Sequence, residues 1–167
     1  MNALIHYRYW TNTDRTDLEN AGSFGQLAEI AIEIMSRWPC AVEMVSGPIS
    51  TGGVGSIDGN RKVFEKVIEA LCATERLAVF SQMPFEDKMV DLYKKWHTEN
   101  PDEKYCMPIL TDFYERVFSS GKVTRLNFIN DWQSSFGARW EHDGCGRWKI
   151  VRRYLPRELS ERVLVTS

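Results

Sequence analysis

"CAVEMVSGPISTGGVGSIDGNRKVFEKVIEALCATERLAVFSQ", residues 40–82, decides the fold. "CAVEMVSG" is short, rich in Val and ends at Gly-Pro, as buried strands of parallel sheets do. The loop "PISTGGVGSIDGN" carries four glycines. After it, Val63, Phe64, Val67, Ile68 and Leu71 recur at helical spacing and make one apolar stripe. "RLAVFSQ" then reads as a second strand. Strand, loop, helix and strand in one sheet imply a right-handed parallel crossover.

The pattern continues outward. "PFEDKMVDLYKKWHTEN" and "MPILTDFYERVFSS", the latter closed by Gly121, read as helices. "KVTRLNFIN" is a third strand, a helix starts at about Phe136, and "KIVRRYL" and "PRELSERVL" supply a last strand and a short helix. Toward the N-terminus, Ser23 is an N-cap and "SFGQLAEIAIEIMSRW" is a helix that stops at Pro39. "ALIHYRYW" reads as a strand or edge hairpin, and "TNTDRTDLENAG" as a polar loop. Alternating strands and helices predict an α/β, Rossmann-like three-layer sandwich around a mostly parallel sheet. The 167 residues suit a single domain, with 1–38 as an N-terminal extension carrying a helix and 40–150 as the core.

Composition excludes several classes. With 21 basic and 23 acidic residues and a net charge of −2, there is no broad cationic field for a nucleic acid polymer or an anionic membrane. Arg147, Lys149, Arg152 and Arg153 form a local basic cluster, read as a solvated face with a phosphate clamp as its rival. No stretch reaches membrane-spanning length and the N-terminus lacks the order of a signal peptide, so a cytoplasmic protein is expected. Cys40, Cys72, Cys106 and Cys145 include no C-x-x-C pair and are expected as free thiols. Glu141, His142, Asp143 and Cys145 lack a second spaced ligand pair, so neither a metal nor another cofactor is expected.

In open α/β sheets, ligands bind beyond the carboxyl ends of the strands. Two loops there hold candidate residues. The first, "SGPISTGGVGSIDGN", contributes Ser46, Gly47, Pro48, Ile49, Ser50 and Asn60, with glycines that allow backbone N–H groups to approach an anion or a planar ligand. It matches neither the dinucleotide nor the Walker fingerprint. The second, "WQSSFGARWE", residues 132–141, offers the Ser135 hydroxyl, backbone donors near Gly137, and Glu141 about a turn into a helix. The competing reading makes Ser134 or Ser135 a helix cap and Glu141 an exposed carboxylate.

"VSGPIS" after the first core strand, Asn60 at the next helix and "W-x-S-S-x-G-A-x-x-E" after a later strand resemble the nucleoside 2-deoxyribosyltransferase superfamily, especially its short bacterial and phage branch. The resemblance covers roughly residues 40–150. It departs from the family at Gly121 and Lys122, where an aspartate is common, and in the polar character of "KVTRLNFIN". It implies cleavage of an N-glycosidic bond, with Glu141 as the nucleophile or the stabiliser of an oxocarbenium-like state. It also implies Asp112 as the acid that protonates the departing base, with Asp131 and Glu86 as alternatives. Ser135 would bond the sugar or phosphate, and Phe80, Phe85 or Trp132 would stack on the base, burial in the core being their competing role. The implied partner is a small nucleoside or nucleotide. A homodimer or larger oligomer is expected, since the family builds pockets across subunits and Trp96, Trp140 and Trp148 are large apolar groups for a small surface. A non-catalytic nucleotide-binding or sensing module, and a structural protein that keeps only the fold, remain alternatives.

Overall fold

A computed structural model describes residues 3–50 and 52–164. Strands β1 (Val42–Ser46), β2 (Val123–Phe128) and β3 (Val151–Tyr154) form an all-parallel sheet in the order β1-β2-β3. The chain starts with helices α1 (Ala3–His6), α2 (Asn12–Asn20) and α3 (Phe24–Ser36), all before β1. Between β1 and β2 lie α4 (Ile57–Thr74), α5 (Glu86–Glu99) and a π-helix (Ile109–Tyr114) that runs into α6 (Glu115–Ser119). Helix α7 (Phe136–Trp148) joins β2 to β3, and α8 (Arg157–Leu164) follows β3. This is a mixed α/β fold with helices flanking a parallel sheet, consistent with the expected Rossmann-like class.

The pleat explains how both faces are covered. Met44, Leu126 and Phe128 join a cluster with Leu27, Ala31 and Ile34 of α3 and with Phe113 and Phe118. Val45 and Ile129 join a second cluster with Phe64, Val67, Ile68 and Leu71 of α4. Successive strand residues thus serve opposite layers, each buried Leu, Ile or Phe contributing about 1.5–3 kcal/mol. Serine caps set three helix starts. Ser23 Oγ accepts from Gln26 N at 3.2 Å, Ser56 Oγ from Gly59 N at 3.1 Å, and Ser135 Oγ from Ala138 N at 3.3 Å.

Three expectations are corrected. "RLAVFSQ" is reduced to one parallel bridge, Glu43 with Val79, made by Glu43 N to Ala78 O and Phe80 N to Glu43 O, both 2.8 Å. Further along, the side chain of Gln82 takes over, its Nε2 donating to Val45 O at 2.8 Å, and the backbone turns into the 3-10 helix Met83–Phe85. "ALIHYRYW" contains the short helix α1 rather than a strand. "TNTDRTDLENAG" holds α2, nucleated by a capping box in which Asp14 N donates to Thr11 Oγ1 at 3.2 Å and Thr11 N to Asp14 Oδ2 at 2.6 Å. Arg37 anchors α2 through an ion pair with the buried Asp14. Among the described residues no helix is long and apolar enough to cross a membrane.

Candidate active site

A cavity of about 460 Å³ opens beyond the carboxyl end of β1. That lies within the ~300–1,000 Å³ range of small-molecule sites. The chain leaving β1 supplies Gly47, Ile49 and Ser50, and α4 adds Ile57. Helix α5 contributes Glu86, Met89, Val90, Tyr93 and Lys94, spaced as one helical face. Lys104, Tyr105 and Cys106 come from the connection after α5, and Ile109, Leu110 and Tyr114 from the π-helix. The start of α7 completes the wall with Ser135, Gly137, Ala138 and Glu141.

Glu141 is buried on the cavity-facing side of α7. Gly137 and Ala138 lie four and three residues before it, so they share its helix face. Its Oε2 accepts a hydrogen bond from Ser46 Oγ at 2.5 Å, which ties the end of β1 to α7. Burial pushes the Glu141 carboxyl up to about 8, against the lowering effect of the Ser46 bond. Glu86, also buried, is pushed up to about 7 by burial; Arg61, with Nη2 at 3.7 Å, pulls it down and Asp87 pushes it up. The Tyr105 phenol is raised, first by burial and then by Glu141. Gly137 permits this crowding, because a Cβ there would lie 3.0 Å from Tyr105 Oη.

The glycine loop is a self-bonded scaffold. Asn60, 4% exposed, donates from Nδ2 to Ile49 O at 2.9 Å and Gly52 O at 3.1 Å and accepts from Val54 N at 2.9 Å. Gly53 N donates to Ser134 Oγ at 2.9 Å and Gly55 N to Gly52 O at 3.3 Å. The N–H groups of Gly53, Val54 and Gly55 are therefore spent inside the protein rather than presented to an anion. Gly52 and Gly53 have φ of 72° and 63°, a region costly for other residues, and a Cβ on either would meet Ser134 or Asn60.

The structure thus gathers Ser46, Gly47, Ile49, Ser50, Ser135, Gly137 and Glu141 at one place. Asp112 is not among them. It is exposed on the π-helix and accepts from Thr111 Oγ1 at 3.0 Å, while Leu110 and Tyr114 on either side of it turn to the cavity. Trp132 also lies elsewhere, stacked on His142 at 4.2 Å with Phe128 at 5.2 Å. Pro48 and Asp131 border a separate small cavity, and Asn60 acts through the loop. Phe80 and Phe85 are core residues. Of the alternative acids, Glu86 alone lines the cavity.

Tyr105, Tyr114, Lys94 and Lys104 were not anticipated; only the α5 stripe with Glu86 at its head carried a sequence signal for that wall. The basic cluster is largely engaged internally: Arg147 with Glu115 at 3.3 Å, Arg153 with Glu75 at 2.7 Å, and Arg152 through Nε and Nη2 with His142 O. Trp96, Trp140 and Trp148 are partly buried against the core, which removes the surface argument for oligomerisation. All four cysteines are free, and among the described residues no group of three or more His, Cys, Asp or Glu could hold a metal ion. No family, no curated protein and no solved structure matches the chain.

Proposed function

We propose that this protein cleaves the N-glycosidic bond of a nucleoside or nucleotide, by hydrolysis or by 2-deoxyribosyl transfer, with Glu141 facing the anomeric carbon. The supporting observation is the buried Ser46–Glu141 hydrogen bond in the wall of the cavity. A hydroxyl that donates to one carboxylate oxygen favours the ionised form and fixes the direction of the other oxygen. Breaking the bond to the base develops positive charge at C1′, and an anionic Glu141 stabilises it or captures it as a glycosyl-enzyme. Water or an acceptor base then displaces the sugar. Ser135 and the apolar walls hold the nucleoside and limit water.

The raised proton affinity of Glu141 favours a second reading, in which a neutral carboxyl holds a nucleotide by hydrogen bonding without turnover. A panel of deoxynucleosides and their monophosphates incubated with the protein and assayed for free base separates the two. Base release supports the enzyme; saturable binding with no released base from any member supports the sensor.

A further inference from the structure

We propose that Glu86, not Asp112, is the catalytic acid that protonates the departing base, an inference that rests on the N-glycosidase reading. The geometry carries it. Two buried carboxyl side chains line the cavity, Glu86 at the start of α5 and Glu141 on α7, so they enter from different elements. The exposed Asp112 does not reach it.

The two carboxyls also have different partners. Glu141 is held by a hydroxyl donor, as a group that must carry charge should be. Glu86 has Arg61 at 3.7 Å, beyond hydrogen-bonding distance, leaving its own proton free to give. The groups acting on Glu86 are Arg61 from α4 and its neighbour Asp87; Tyr105 and Tyr114 from the opposite walls both sense it and Glu141, and Lys94 and Lys104 also line the cavity.

The proton balance is complete. The Glu86 O–H proton passes to a ring nitrogen or carbonyl oxygen of the base as the C1′–N electron pair departs with it. A Glu141 oxygen forms the C1′–O bond. Arg61 then faces a Glu86 carboxylate, whose charge it offsets. Water attacks C1′, Glu141 leaves as carboxylate, and the water proton returns to Glu86. With Glu86 near 7 and Glu141 near 8, the productive form, proton on Glu86 and charge on Glu141, is the minor of the two singly protonated forms of the empty site. Activity is therefore expected to be bell-shaped in pH with its maximum close to neutrality.

The test compares Glu86→Gln with wild type on paired substrates within the base class that wild type accepts. The pairs are 2′-deoxyguanosine against its 7-methyl derivative, or thymidine against 5-fluoro-2′-deoxyuridine. The second member of each pair leaves with little or no help from an acid. Glu86→Gln is expected to lose ~100-fold or more on the ordinary nucleoside and no more than about threefold on the activated one, and to lose the alkaline limb of its pH profile. Glu86→Asp should recover part of the rate and serves the same comparison if Glu86→Gln does not fold. Equal losses on both members, with the alkaline limb intact, overturn the role of Glu86 while the N-glycosidase reading stands. Absence of base release by wild type from every nucleoside and monophosphate overturns both.

Discussion

Replacing Glu141 by Gln should stabilise this protein at alkaline pH while disabling it. The folded-state pKa lies near 8 and the ordinary value is 4.5, so between these limits the native state keeps a proton that the unfolded chain has lost. Stability contributed by this group is therefore lost as pH rises through that window, and is level below and above it. The gap from 4.5 to about 8, at about 1.4 kcal/mol per pH unit, sets a ceiling of ~5 kcal/mol. Gln has the same shape, cannot ionise, and can accept from Ser46 Oγ through its amide oxygen. The variant should match wild type at pH 5 to within ~1 kcal/mol and exceed it by about 2–5 kcal/mol at pH 8.5. Glu86 contributes with the same sign in both proteins and cancels in the difference. Urea unfolding at the two pH values measures the effect, and a thermal midpoint should rise by about 2–4 °C per kcal/mol at this chain length. Equal pH slopes for the two proteins would refute a proton held by Glu141 in the folded state.

Asn60→Ala removes the partner of Val54 N, Ile49 O and Gly52 O together, and should cost about 2–4 kcal/mol in chemical denaturation and weaken ligand binding; a loss under about 0.5 kcal/mol would mean that the loop holds itself. Ser46→Ala deletes the hydroxyl that lowers Glu141; with Glu141 the more basic of the two carboxyls, its titration sets the alkaline limb of the kcat/KM profile, so that limb should move to higher pH while the maximum falls, and an unmoved or lowered limb would contradict the assigned donor. Asp112→Asn should leave base release within about twofold of wild type, whereas a loss of ~100-fold would restore its assignment as the acid.

The helices and the site loop were legible for identifiable reasons. Ser23 and Ser135 are capping residues placed directly before helical periods, so the first helix start could be read to the residue and the second to within one, Ser134 or Ser135. Val42–Ser46 and Val123–Phe128 are short strands rich in Val, Met, Leu and Phe despite the polar residues within them, and their parallel pairing brings the loops after them to the same edge. The convergence of Ser46 with Glu141, 95 residues apart, follows from that pairing. Asp112 as the acid is what the family resemblance implies; the helical count itself puts Leu110 and Tyr114, four residues apart, on one face and Asp112, midway between them, on the other, which is where the structure has them. Helix α2 was hidden by composition, since Leu18 is its one apolar residue and only the Thr11 and Asp14 pair marks its start. The second strand failed at Gln82, whose side chain substitutes for a ladder bond that no local pattern reveals.

The central claim, that Glu141 performs the chemistry, is tested most directly by measuring free-base release by wild type and Glu141→Gln side by side at pH 7 on the best deoxynucleoside or monophosphate of the panel. The account predicts release by wild type and a loss of several orders of magnitude in the variant, with ligand affinity largely kept, because an amide cannot supply the charge that the transition state requires. Release by Glu141→Gln at the wild-type rate would contradict it.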